Sequence, residues 1–272
     1  MGEFAGLKVL VCGMARSGQA AARLLARQGA VVSAYDVKPY EDINWSYRPD
    51  EFNITYLSGD GDDGLVLGYD LVVPSPGIPA WHPFLLKSAS HKIPVAGELE
   101  IAYRLCPCPV IAITGTNGKT TVTSLVGEIL KKSNPRTVVA GNIGEPFSDF
   151  VLGLAEDSVA VVETSSFQLE TAPEFKPRVG AVLNVTPDHL DRHSTLAKYA
   201  SVKERIFRNQ TESDYSVLNA GDELCRQMRA KGKKIFFSLN GECGEGVFLD
   251  REMLRVKYDG IDETILGRGE LK

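Results

Sequence analysis

The sequence predicts an α/β protein of two domains, each built on a parallel sheet. Three observations carry that reading. Short runs of apolar and β-branched residues alternate with glycine turns and helical segments, the pattern of βαβ units. Two of those turns, Gly13–Gly18 and Gly115–Gly118, each follow a strand and open a helix. The length of 272 residues lies where single cores give way to two, and Cys106-Pro107-Cys108-Pro109 cannot continue a helix. The expected division is 1–106 and 107–272.

Composition narrows the function classes. A formal charge of −5 shows no basic excess, which excludes nucleic acid as the main partner. No apolar run approaches the ~20 residues of a membrane span. The start carries Glu3 and passes at once into a strand, unlike a signal peptide, and Gly6 stands where myristoylation needs Ser or Thr. The five cysteines are odd in number and lack CxxC spacing, so Cys106-Pro107-Cys108 reads as a linker rather than a metal site. A cytoplasmic protein without membrane insertion is expected.

In chain order, Lys8–Cys12 is a strand, and Gly13-Met14-Ala15-Arg16-Ser17-Gly18 turns it into a helix reaching about Gln28. Val31–Tyr35 is the next strand, ending at Asp36. This resembles a dinucleotide fingerprint, in which glycines allow close phosphate approach and an acid ~20 residues on meets a ribose or base. Ala15 replaces the middle glycine, and a βαβ unit without a ligand stays open as the plainer reading. Residues 37–68 are polar and turn-rich, with one strand near Ile54–Leu57. Leu71–Val73 is a strand running into Pro74-Ser75-Pro76-Gly77-Ile78-Pro79, a stiff turn at the sheet edge where α/β proteins bind ligands. A rigid but empty loop fits the same residues. Helices Phe84–Ser90 and Glu98–Leu105 complete this Rossmann-like domain.

Val110–Thr114 opens the second domain as a buried strand, followed by Gly115-Thr116-Asn117-Gly118-Lys119-Thr120-Thr121. In such a turn backbone N–H groups point at a phosphate, Lys119 neutralises its charge, and the Thr120 hydroxyl can hold Mg2+. Ile113 stands where a full-length phosphate loop (P-loop) has its first glycine, so this loop is shortened. The helix behind it repeats Val122, Leu125, Val126, Ile129 and Leu130 on one face, which predicts burial of that face. Strands follow at Thr137–Ala140, closed by Gly141-Asn142-Ile143-Gly144, and at Ser158–Glu163. Glu163 ends its strand where a magnesium-binding acid is expected. After the strand Val179–Leu183, two histidines, two aspartates and an arginine crowd into residues 188–193, a density that points to function. Helix Thr195–Phe207 carries Lys203, a solvated lysine by default. Strands Tyr215–Leu218 and Lys234–Ser238 flank a helix over Asp222–Lys231. Three short strands (Val247–Leu249, Leu254–Tyr258, Thr264–Leu266) form a small appendage.

Gly-Thr-Asn-Gly-Lys-Thr from 115, Gly-Asn-Ile-Gly from 141, Glu-Thr-Ser-Ser-Phe-Gln-Leu-Glu from 163 and Asn-Val-Thr-Pro-Asp-His-Leu-Asp-Arg-His from 184, in that order, resemble the Mur ligase family. The resemblance covers essentially the whole chain. The single glycine turn at Gly13–Gly18 and Ser75-Pro76-Gly77-Ile78-Pro79 are similar to the D-glutamate-adding member. The resemblance implies that ATP phosphorylates a carboxylate of UDP-N-acetylmuramoyl-L-alanine, and that the amine of D-glutamate takes the acyl group. This is a step of peptidoglycan precursor synthesis. ATP, Mg2+ and a monomeric state follow from the same resemblance.

Carried over residue by residue, Gly115, Thr116, Asn117, Gly118, Lys119, Thr120 and Thr121 would cradle the phosphates. Lys119, Glu163, His189 and Lys203 would be catalytic, with Thr120, Glu163, His189 and a carbamylated Lys203 on magnesium. Gly13, Ala15, Arg16, Ser17, Gly18, Asp36, Ser75, Pro76 and Gly77 would hold the UDP part, and Asn142 and Ser165 would touch the substrate near its reacting carboxylate. Family members continue through another helix and a third domain, so the chain reads as C-terminally truncated and inactive alone. Two rivals stay open. An NAD-dependent dehydrogenase would use Gly13–Gly18 with Asp36 but leave the second glycine loop unexplained. A nucleotide-binding module derived from a ligase would have no ligase activity.

Overall fold

Apolar runs flanked by turns become strands because both faces of a parallel sheet are covered, leaving no place for polar alternation. The computed structural model describes residues 2–270. Strands β1 (Lys8–Cys12), β2 (Val31–Asp36), β3 (Thr55–Ser58) and β4 (Leu71–Pro74) form a parallel sheet in the order β3-β2-β1-β4. Val9, Leu10 and Val11 of the central strand are fully buried. Helix α1 (Arg16–Arg27) buries Ala20, Ala21, Ala22, Leu24 and Leu25, while α2 (Pro83–Ser90) and α3 (Glu98–Leu105) complete the covering. Between β2 and β4 the chain makes three short 3-10 turns besides β3. Edge-on ring contacts of Trp45 with Tyr56 and of Tyr47 with Phe52 hold this polar stretch.

The second sheet has nine strands: β5 (Val110–Thr114), β6 (Thr137–Gly141), β7 (Val159–Glu163), β8 (Val179–Val182), β9 (Tyr215–Asn219), β10 (Lys233–Ser238), β11 (Gly246–Asp250), β12 (Met253–Tyr258) and β13 (Ile261–Gly267). Their order is β13-β12-β11-β10-β9-β8-β5-β7-β6. β5 lies between β7 and β8 and runs parallel to both, with Ile113 opposite Glu163 and Thr114 opposite Val182. The last three strands pair antiparallel, which is the expected appendage. The helices are α4 (Lys119–Ser133), α5 (Ser166–Glu170), α6 (Leu190–His193), α7 (Leu196–Glu204) and α8 (Glu223–Gln227).

The chain divides into two compact units. One comprises residues up to 108 with 140–156 and 167–175; the other comprises 109–139, 157–166 and the residues from 176 onward. No helix among the described residues is long and apolar enough to cross a membrane.

Two expectations about helices need correction. The helix expected over Asp222–Lys231 is only the five residues of α8, because Met228 turns to an extended conformation at ψ 140. Lys234 then fixes that turn by donating from Nζ to the Met228 carbonyl. The face of α4 expected in the core is only partly there: Val122, Val126 and Leu130 pack half-buried against the cluster of Ile113, Val161, Ala181 and Leu183, and Leu125 and Ile129 do not. Leu125 and Ile129 are 57% and 58% exposed, whereas the buried positions are Thr123 and Gly127. A Cβ on Gly127 would overlap Val139, so the helix lies closest on its small-residue side. Val122, Val126 and Leu130 also wall an apolar cavity of about 440 Å³ shared with Ile111, Val217 and Phe237.

The exposed face predicts a contrast. Leu125→Gln with Ile129→Gln should change unfolding free energy by no more than about 0.5 kcal/mol per site. Ile113→Ala, at a position 1% exposed, should lower it by about 2–5 kcal/mol. Urea denaturation of the three proteins measures both.

Candidate functional site

The glycine loop of the second unit begins where β5 ends. Gly118 takes the left-handed conformation at φ 80 that closes the turn onto the N-terminus of α4, a conformation that a side chain would strain. A loop this short has few internal hydrogen bonds, so its shape depends on neighbours. Asn184, just beyond β8, supplies them. Its Oδ1 accepts from the N–H groups of Thr116 (3.1 Å) and Asn117 (2.8 Å), and its Nδ2 donates to the Asn117 carbonyl at 3.0 Å. The Thr116 hydroxyl also accepts from the Thr186 N–H at 3.0 Å.

Three of the expected residues, Lys119, Thr120 and Glu163, meet at this loop. Lys119 Nζ folds back to donate to the Thr116 carbonyl at 2.9 Å. Thr120 Oγ1 donates to Glu163 Oε2 at 2.9 Å, and the Glu163 side chain is buried at the end of β7. A hydroxyl and a carboxylate touching at the mouth of an anion loop suit Mg2+, which takes one or two protein oxygens and completes its shell with phosphates and water. Among the described residues no cluster of three or more His, Cys, Asp or Glu side chains could hold a metal alone. His189 is exposed, in the left-handed region at φ 48, with Nε2 3.5 Å from Asp188 Oδ2.

Lys203 is the largest departure from the default reading. It is 1% exposed, and its Nζ donates to the Gly115 carbonyl at 2.8 Å. The ammonium also lies 4.3 Å from the Tyr199 ring centroid. Burial, and then the charge of Lys119, push its pKa down to about 7. Tyr199 is buried too, and burial raises its phenol, which faces Thr116. Sequence reasoning missed Tyr199 and Asn184 as loop braces. The only available signal for Asn184 was its place one residue past an apolar strand neighbouring β5.

The first unit holds a second candidate site. Gly13, at φ 87, passes so close to Ser75 that a Cβ there would overlap it, and a Cβ on Gly18 would overlap the Gly13 carbonyl. Ala15, Arg16, Ser17, Ser75, Pro76 and Gly77 line a cavity of about 280 Å³, together with Asn142 and Gln168. Arg16 donates to the Gly144 carbonyl and lies 3.5 Å from Glu145. The cavity therefore gathers seven of the expected substrate residues of this unit, Asn142 among them, while Gly13 and Gly18 shape the turn without lining it. Asp36 does not line the cavity: its Oδ2 accepts from the Met14 N–H at 2.7 Å and its Oδ1 from the Lys38 N–H at 3.2 Å. Its visible work is to brace the glycine turn. Ser165 belongs to the other unit, two residues after Glu163.

A buried lysine whose pKa falls from 10.5 to about 7 makes folding depend on pH. Between those values the unfolded chain binds the proton and the folded chain does not. Lys203 should therefore add stability as pH rises through the window and withdraw it as pH falls toward 7. Denaturation at pH 7 and 10 in CO2-free buffer should show a smaller pH dependence for Lys203→Met than for the parent.

Comparison with known proteins places the chain in a family. The profile of the Mur ligase middle domain matches residues 113–259. A UDP-N-acetylmuramoylalanine--D-glutamate ligase from Pelotomaculum thermopropionicum is 43% identical over 278 residues, covering 99% of this chain and 60% of that protein. The protein of the same name from Caldicellulosiruptor saccharolyticus is 42% identical, covering 98% and 60%. The chain thus spans about 60% of the length of these relatives. Among solved structures, a UDP-N-acetylmuramate:L-alanyl-gamma-D-glutamyl-meso-diaminopimelate ligase from Neisseria meningitides aligns with a TM-score of 0.60 at 15% identity, covering 95% of this chain and 86% of that one. A UDP-N-acetylmuramate-alanine ligase from Thermotoga maritima aligns at 0.53 and 20% identity, covering 96% and 59%. At these identities the structural likeness concerns the fold.

Proposed function

The chain belongs to the Mur ligase family, and from that premise we propose that it is the nucleotide-sugar- and ATP-binding part of a ligase joining D-glutamate to UDP-N-acetylmuramoyl-L-alanine. The relatives' shared name supports the choice of substrates. The observation that carries the ligase reading is Lys203, buried beneath the phosphate loop with its amine on the Gly115 carbonyl. A solvent-facing lysine has no reason to be there; a lysine that becomes an anion does.

A carboxylate is a poor acceptor for an amine because its leaving group would be oxide. Transfer of the γ-phosphoryl group of ATP to the carboxylate gives an acyl phosphate with a good leaving group. The protein's task is to position these anions and neutralise their charge. Gly115–Thr121 would hold the phosphates through the backbone N–H groups from Gly118 onward, since those of Thr116 and Asn117 are taken by Asn184, with Lys119 leaving the Thr116 carbonyl for the transferring oxygens. Mg2+ would neutralise charge between the phosphates. Thr120 and Glu163 are the side chains suited to holding it, with His189 as a further candidate. A free Lys203 amine, half neutral near pH 7, can attack CO2. An N–C bond forms as one C–O π pair of CO2 moves onto oxygen and a proton leaves the nitrogen for solvent; the resulting carbamate replaces an ammonium with one negative charge shared by two oxygens. In the first unit, the cavity between Arg16, Ser75 and Asn142 would take the UDP part, with Asp36 holding the turn beside it. Ser165 would meet the substrate near its carboxylate. The cytoplasm, where nucleotide sugars and ATP are both present, is the compartment this reaction requires.

Two measurements test the proposal. Lys119→Ala in the complete ligase should reduce acyl-phosphate formation by ~10³-fold or more while leaving nucleotide-sugar binding intact. Turnover near the parental rate would reject the assignment of the loop. Lys203→Ala should also be inactive, and acetate or formate, small carboxylates able to occupy the gap, should restore part of its activity. No rescue by either, with the variant still folded, would reject the carbamate role.

A further inference from the structure

His189 sits at one end of α6, and the far end of that helix is anchored by an imidazole with no role so far. The four residues of α6 are bracketed by two non-glycine residues in the left-handed region, His189 at φ 48 and Ser194 at φ 66. Such strain persists only where surrounding contacts over-determine the backbone. His193, the last residue of α6, provides those contacts. Its side chain is buried, a hydrogen bond of 3.0 Å joins its Nε2 to Ser166 Oγ, and its ring lies 4.9 Å from that of Tyr199 at an interplanar angle of 33°.

Both partners lead to the nucleotide site. Ser166 is buried three residues after Glu163, at the exit of β7. Tyr199 carries the Lys203 amine over its ring and meets the His189 ring edge-on at 6.5 Å. One imidazole therefore touches both the segment that follows Glu163 and the ring that carries Lys203 and meets His189. A histidine that only filled space would need neither the serine nor the strained turn.

We infer that His193 is a positioning residue: its hydrogen bond to Ser166 and its stack on Tyr199 hold the strained His189 turn in register with Glu163 and Lys203. This rests on the reading of the second unit as a Mg2+–nucleotide site. Groups that orient metal ligands from behind typically change metal affinity 10–100-fold when removed. A group that merely fills the core changes stability and affects all ligands alike.

Calorimetry with ADP, with and without Mg2+, separates the two on this chain. His193→Leu keeps the volume and removes the hydrogen bond; it should reduce the Mg2+-dependent gain in ADP affinity about 10-fold or more, leaving metal-free ADP binding unchanged. His193→Gln, whose amide can reach Ser166, should keep that gain within about threefold of the parent, on the scale of one restored hydrogen bond. Ser166→Ala breaks the same bond from the other side and should lose the gain as His193→Leu does. Unchanged Mg2+ dependence in Ser166→Ala overturns the proposal, even if His193→Leu does not fold. Equal losses with and without Mg2+, tracking a fall in melting temperature, also overturn it. If the parent chain itself binds ADP with no Mg2+ dependence, it is the reading of the site that fails.

Discussion

A glycine loop that offers its N–H groups to a ligand cannot use them to hold its own shape, and the second unit meets that constraint with the ends of three adjacent strands. β5 delivers the loop, while β7 and β8 run parallel on either side. Their carboxyl ends therefore reach the same sheet edge, the edge at which α/β proteins bind ligands. Glu163 from β7 takes the Thr120 hydroxyl, and Asn184 beyond β8 uses both ends of its amide on the loop. Lys203 secures the loop's base through the Gly115 carbonyl. Loosening the parallel register would separate all of these at once.

The first unit meets a related constraint with less side-chain bracing. Its turn is shaped by close approach: Gly13 against Ser75, and Gly18 against the Gly13 carbonyl. The one acid at the end of β2 caps the turn through the Met14 N–H. The two units thus shape their glycine turns differently, one chiefly through side chains supporting a loop and the other chiefly through glycines permitting close contact. Charge differs as well. In the second unit two lysines approach the same loop, and burial leaves Lys203 with an unusually weak hold on its proton. That same weakness is what makes the amine available for chemistry.

Away from the sites, α4 shows how a surface pattern can mislead. Its apolar stripe has helical spacing, yet the helix lies closest on Thr123 and Gly127 and leaves Leu125 and Ile129 exposed. The adjacent apolar cavity, walled by Val122, Val126 and Leu130, is continuous with one face of the sheet. Periodicity identifies which residues share a face; it does not say what that face meets.

The sequence by itself determined most of the local structure and marked both glycine turns as candidate sites. Strand boundaries such as Lys8–Cys12 and Val110–Thr114, the helix Glu98–Leu105 and the terminal strands follow from patterns of a few residues. Thr120 and Glu163 were legible because each stands at a strand or helix end with a recognisable chemical task. Tertiary structure alone decided the rest: that Lys203 is buried, that Asn184 rather than an internal bond shapes the loop, that His193 reaches Ser166, and that Asp36 braces a turn outside the cavity. The reason is separation along the chain. Lys203 and Gly115 are 88 residues apart and Asn184 and Asn117 are 67. Local spacing carries no record of such distant partners, which meet only when the parallel strands fix their register.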